Sequence, residues 1–145
     1  NIGWNIDKVT IWGIEYEFNA TIKKLNVFGN YSYTETSYEE DDPDKDPGFL
    51  VELPPKHKIN LSLRYSLTDS LLLLWDQRYV SERKSETGST LDDFTTSDVG
   101  VQYTFYNKKA NINVYINNLF GTDYELTYGY PMMRQVYGVT LKLSF

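Results

Sequence analysis

Apolar and polar residues alternate along most of this chain. In the first segment Trp12, Ile14, Tyr16, Phe18, Ala20 and Ile22 are interleaved with Gly13, Glu15, Glu17, Asn19 and Thr21. A period of two over more than ten residues matches a strand with two unlike faces, and no single helix face can satisfy it. The same pattern recurs six times. Leu25, Val27, Tyr31 and Tyr33 form the second apolar row, with Phe28 and Gly29 as its imperfections. Ile59, Leu61, Leu63, Tyr65 and Leu67 form the third, and Leu71, Leu73, Trp75 and Tyr79 the fourth. Val99, Val101, Tyr103 and Phe105 make the fifth, Ile112, Val114 and Ile116 the sixth, and Tyr137, Val139, Leu141, Leu143 and Phe145 the seventh.

Strand length narrows the architecture. Strands of globular proteins run about 5–6 residues, whereas membrane-spanning strands need about 9–11. The connections separate the two further. Lys23-Lys24, Thr68-Asp69-Ser70 and Asn107-Lys108-Lys109 read as tight turns, while Ser37 to Lys56, Arg83 to Asp93 and Gly121 to Met133 read as long loops. Short and long connections take turns, so an up-and-down sheet collects all the short ones at one end. That is the plan of outer-membrane barrels, with short periplasmic turns and long extracellular loops. A soluble antiparallel sheet with one wet face gives the same alternation but predicts neither the strand length nor the loop asymmetry. The expected fold is therefore all-β: an antiparallel, up-and-down transmembrane β-barrel segment of about seven long strands.

Seven is an odd number, and bacterial single-chain barrels have even ones. If the short turns are periplasmic, the first strand starts on the extracellular side, so at least one earlier strand is expected. The chain shows no leader and does not begin with Met, which agrees with a start partway through a longer protein.

Composition removes other classes. With no Cys, zinc–thiolate sites, iron–sulfur clusters and disulfide frameworks are excluded. The 20 acidic residues outnumber 14 basic ones, for a net charge of -6, which makes nucleic acid a poor partner. No apolar run approaches the length of a membrane helix; the longest is Leu71 to Trp75. Aromatics reach 16% of residues, against the depletion typical of disordered chains.

Individual residues offer little chemistry. Six acids stand between Glu39 and Asp46, and Asp42, Asp44 and Asp46 have the alternate spacing of a calcium loop with Glu52 downstream. Pro47 and Leu53 occupy the positions where an EF-hand needs Gly and Glu, so a solvated loop tip is expected instead. His57 is the sole histidine, between Lys56 and Lys58, and reads as an interface residue. Without a second histidine or any cysteine it makes a poor transition-metal site. No G-x-S-x-G or oxyanion-loop pattern accompanies it, so no catalytic, cofactor-binding or metal residue is assigned and no enzyme is expected. Glu15, Glu17, Arg64, Asp76, Arg78, Asp98 and Lys142 fall on the polar face and would line a lumen, meeting mainly one another and water. Trp12, Trp75, Tyr33, Tyr79, Phe94 and Tyr103 suit aromatic girdles. Tyr124, Tyr128 and Tyr130 fall in the last long loop, either to touch ligand or to pack the loop.

One stretch carries a resemblance. Asn117-Asn118-Leu119-Phe120-Gly121-Thr122-Asp123-Tyr124, then Tyr128-Gly129-Tyr130-Pro131 and Arg134, then an alternating strand ending at Phe145, resembles the C-terminal end of TonB-dependent outer-membrane receptors. Gly13-Ile14-Glu15, Leu53-Pro54-Pro55-Lys56-His57 and Arg78-Tyr79-Val80-Ser81 resemble pieces of upstream strands of that family. Gly121 replaces a usual Asp, and Met132-Met133 a usual Pro-Gly. The resemblance implies a barrel of about 22 strands enclosing a plug domain, in the outer membrane of a Gram-negative bacterium. Residues 1–145 would be its C-terminal part, without the plug. The implied partners are outer-membrane lipid, the rest of the barrel, the plug, a nutrient chelate (ferric siderophore, haem or cobalamin) and, through the plug only, the TonB complex. Phe145 with its alternating strand resembles the signal read by the barrel-assembly machinery. The alternatives left open are a small self-contained outer-membrane barrel acting as adhesin or stabiliser, and a soluble β-domain that binds a ligand.

Overall fold

The computed structural model describes residues 8–39, 53–85 and 88–144. Residues 40–46 of the acidic stretch considered for calcium, Glu52 and the terminal Phe145 lie outside these residues. Every regular element described is a β-strand. In chain order they are β1 (Lys8–Ile22), β2 (Leu25–Glu39), β3 (His57–Ser66), β4 (Leu71–Val80), β5 (Arg83–Lys84), β6 (Thr90–Leu91), β7 (Phe94–Phe105), β8 (Ala110–Asn117), β9 (Glu125–Thr127), β10 (Tyr130–Pro131) and β11 (Val136–Leu143).

Seven of them form one antiparallel sheet in the order β1-β2-β3-β4-β7-β8-β11, so each long strand pairs with its neighbour in sequence. The four short strands make two small ribbons, β5 with β6 and β9 with β10, within the second and third long loops. The turns agree with the expected ones. Lys23 joins β1 to β2 at φ 55°, and Tyr106, Asn107 and Lys108 join β7 to β8 with φ of 51°, 52° and 67°. Three consecutive left-handed residues that carry a Cβ are unusual, since each is sterically disfavoured.

Register sorts the side chains onto two faces. Ile14 pairs with Tyr33 and Tyr33 with His57; Val27 pairs with Leu63, Leu63 with Trp75, and Trp75 with Val99. Because directly paired residues project to one side, these rows form a single apolar face. The face is bare: Ile14 and Tyr16 are each 62% exposed, and Val139 67%. The buried apolar side chains of the described residues are only Val80, Leu91, Phe94 and Ala110. Soluble monomers rarely expose an apolar patch wider than a few hundred Å², and this one crosses seven strands. The soluble-domain alternative therefore lacks the core it needs.

Two glycines show how close the ladder runs. A Cβ on Gly13 would sit 2.4 Å from the Tyr33 carbonyl oxygen, which is fixed in the β1–β2 ladder. At Gly29 the ring of Phe18 covers the vacant position, with Cε1 2.4 Å from where a Cβ would be. An aromatic ring lying over a cross-strand glycine restores packing that the glycine alone forfeits.

Candidate functional site

The opposite face gathers the charges. Glu15, Glu17, Arg64, Asp76, Arg78, Asp98 and Lys142 all share its parity, as expected from the alternation. Asp76 and Asp98 are direct cross-strand partners. Like charges so placed repel, and each carboxylate has its own donor. Arg64 Nη2 lies 3.0 Å from Asp76 Oδ1, which also accepts from the Ser62 hydroxyl. Asp98 Oδ1 accepts the backbone N–H of Asn118 at 2.7 Å.

Asn118 is the hub at the base of the last long loop. It sits at φ 51°, a left-handed conformation that asparagine tolerates, and is 4% exposed. Its side-chain Nδ2 donates to the Thr122 carbonyl at 2.8 Å, and its Oδ1 accepts from Thr122 N–H at 2.9 Å. Leu119 N–H reaches the Ser97 carbonyl at 2.7 Å, and the Thr122 hydroxyl donates to the Thr95 carbonyl at 2.9 Å. Further along, Arg134 grips Asp123 with both ends of its fork, Nε to Oδ1 at 2.5 Å and Nη2 to Oδ2. That grip holds the Asp123 carboxyl below its ordinary pKa, the hydrogen bond from Arg134 being the larger cause and its charge a smaller one. The motif from Asn117 to Tyr124 thus works as a loop brace.

The brace tips the loop over the polar face. The Tyr124 ring stacks on Phe94 with centroids 4.3 Å apart, and Met132 N–H bonds the Tyr124 carbonyl at 2.9 Å. Beneath lies a hollow of 520 Å³ whose lining includes Asn60, Asp76, Arg78, Asp98, Tyr124 and Met133. Of the three loop tyrosines, Tyr124 packs the loop, whereas Tyr128 and Tyr130 are exposed.

The aromatic assignment needs two corrections. Phe94 pairs with Val80 on the polar face and is 3% exposed, so it belongs to the loop base and not to a girdle. Trp75 faces outward, but at the middle of β4, between Leu63 and Val99. Parity and position along the strand, not ring type, decide these places. Trp12 and Tyr79 lie toward the long-loop ends of their strands and Tyr103 near a short turn, while Tyr33, at mid-length of β2, is level with His57 at the start of β3. His57, read from the sequence as an interface residue, and Tyr31 join the first group. Trp12 and Tyr33 rings are 5.5 Å apart, Tyr33 and His57 5.4 Å, and the Tyr31 hydroxyl lies 2.9 Å from His57 Nδ1. His57 is therefore an outward-facing rim residue. No group of three or more possible metal ligands occurs among the described residues.

Long strands, an apolar outer face, aromatic rims and an inward polar face together define a wall section of a membrane-spanning β-barrel. The chain belongs to the TonB-dependent receptor-like β-barrel family, whose model matches residues 1–119. A curated relative, the ferrichrome outer membrane transporter/phage receptor of Escherichia coli K12, is 28% identical over 122 residues, covering 77% of this chain and 16% of the relative. The ferric-catecholate import receptor Fiu of E. coli K12 has the same fold, with a TM-score of 0.76 at 21% identity over 94% of this chain and 21% of that one. So does a mutant of the ferric enterobactin receptor PfeA of Pseudomonas aeruginosa, with a TM-score of 0.75 at 17% identity over 97% and 23%. This chain spans about a fifth of the length of these proteins.

Proposed function

We propose that residues 1–145 are the C-terminal part of the barrel wall of a TonB-dependent receptor in the outer membrane of a Gram-negative bacterium. The protein imports a ferric siderophore and is not an enzyme. The long loops face the cell exterior and help shape the ligand vestibule, while a plug domain elsewhere in the polypeptide fills the lumen and meets the TonB complex. The observation that carries this reading is the bare apolar face across seven long strands, in a chain matching the receptor family over residues 1–119. The relatives named for ferrichrome, ferric-catecholate and ferric enterobactin receptors support iron as the cargo.

Two measurements test it. An immunoblot of fractionated envelopes should give an outer-membrane band several times larger than 16.9 kDa; a band of that mass would favour the small self-contained barrel. Cells lacking the gene, starved of iron, should lose energised uptake of one class of labelled ferric chelate among hydroxamate, catecholate and citrate types, and regain it with the gene. Unchanged uptake of all three would remove the siderophore reading and return haem and cobalamin as cargoes.

A further inference from the structure

The long-loop end holds the packing that the sheet lacks. Of the four buried apolar side chains among the described residues, Val80, Leu91 and Phe94 lie there. Leu91 belongs to the β5–β6 ribbon of the second long loop, where it pairs with Arg83. Further bonds close that ribbon: Lys84 Nζ donates to Thr90 Oγ1 at 2.7 Å, and Ser85 N–H to the Ser89 carbonyl at 2.9 Å. β6 lies against β9 of the last long loop. Across this seam Arg83 Nη2 donates to the Leu126 carbonyl at 2.6 Å. The Lys84 carbonyl in turn accepts from Leu53 N–H, near the end of the first long loop, at 3.1 Å.

We infer that Arg83 is a positioning residue for ligand capture, joining the second and third long loops into one cap over the hollow of 520 Å³. Surface loops with few buried contacts open locally and one by one. These two share a seam with Leu91 buried beside it and the Phe94–Tyr124 stack at its base. Arg83 is not among the residues lining the hollow, so it acts on a ligand through the loop it holds, which supplies Tyr124, Met132 and Met133 to the lining. A guanidinium suits the task. Its charged N–H makes a stronger bond to a carbonyl than a neutral donor does, and its planar fork loses little freedom per bond formed. A cap ordered in advance spares the ligand the cost of ordering two separate loops, so loosening it should weaken capture. The inference rests on the proposed receptor reading and adds to it which loops act together and through which residue.

Hydrogen exchange on the whole protein in lipid vesicles tests the cap. The amides of Ser85 and Met132, one in each loop, are both hydrogen-bonded and report its opening. The expected result is one opening free energy shared by both in the wild type, and two different, lower ones in Arg83→Ala. Uptake of labelled ferric chelates of hydroxamate, catecholate and citrate types is then measured in cells. For the type the wild type imports, Arg83→Ala should raise the half-saturating concentration several-fold and leave the maximal rate unchanged. Arg83→Lys should recover part of the loss, with one ammonium bond in place of the fork. The inference is overturned if Ser85 and Met132 of the wild type differ widely in protection, a result that needs no variant and stands even where Arg83→Ala fails to assemble. It is overturned equally if Arg83→Ala imports like the wild type or loses maximal rate alone. Weaker capture with the shared protection intact would also overturn it, assigning Arg83 to charge attraction for an anionic chelate. Failure of the receptor reading looks different, as a wild type that imports none of the three chelates.

Discussion

The Phe94 and Tyr124 rings stack 4.3 Å apart, tying the first residue of β7 to the last long loop on the polar face. Phe94 is almost wholly buried, so truncating it leaves a cavity the backbone cannot close. Phe→Ala changes in such sites cost about 3 kcal/mol or more. Because this stack holds a loop and not the sheet, Phe94→Ala should free residues 118–135 locally. Hydrogen exchange should quicken at Leu119, Thr122 and Met132 while the β7–β8 ladder keeps its protection. Equal loss in both places would mean that the loop and sheet unfold as one unit.

The Asp123–Arg134 grip gives that loop a pH dependence. The folded-state pKa of Asp123 is depressed. Its contribution is therefore fully present above the unfolded carboxyl value, about 3.9, and is lost as pH falls through the folded value. Loop protection should hold from neutral pH to about pH 5 and decline only in stronger acid. Asp123→Asn should be weaker at neutral pH and flat across the acid range. Amide exchange at Thr122 and Met132, whose N–H groups bond the Asn118 side-chain oxygen and the Tyr124 carbonyl, reads both over an acid titration. A wild-type loop that loosens between pH 7 and 5 would assign the effect to another group.

Gly13 opens the Gly13-Ile14-Glu15 motif, and the ladder explains its place. In Gly13→Ala the new methyl meets a backbone oxygen that cannot move without breaking β1–β2 pairing. Overpacking of this kind costs about 1–3 kcal/mol. At Gly29 the obstacle is the Phe18 ring, free to swing away from the sheet, so Gly29→Ala should cost less. Urea unfolding of the refolded whole barrel, followed by Trp fluorescence, ranks the two. A costlier Gly29→Ala would show that the ring is held as firmly as the backbone.

Much of the fold was legible because a strand's two faces differ by a single residue step. Seven strands, three tight turns and the shared face of all seven named charges follow from parity alone. Phe94 escaped because an apolar residue at a strand's first position looks outward-facing until its register with Val80 is known. The ribbons β5–β6 and β9–β10 are too short to show a period. The hub role of Asn118 was half visible: the resemblance marked the stretch from Asn117 to Tyr124, but the bonds to Asp98 and Thr122 come from tertiary contact.

The decisive test of the two faces is at mid-height of the last three strands. Val101 pairs with Val114 and Val114 with Val139, a row on the bare side. One residue along, Gln102, Asn113 and Thr140 form the corresponding row on the polar side. A lysine or arginine on the lipid face of a barrel costs about 2–4 kcal/mol near the bilayer midplane, while lumen positions tolerate charge. Val139→Lys should therefore destabilise the refolded barrel by about that much and lower its yield in the outer membrane. Thr140→Lys, next to it in the chain, should fold and assemble close to normally. Refolding into lipid vesicles, with heat-modifiable gel mobility as the readout, compares the pair in one experiment. If the two lysines cost the same, the outer face is not in contact with lipid, and the apolar rows must be covered by protein instead.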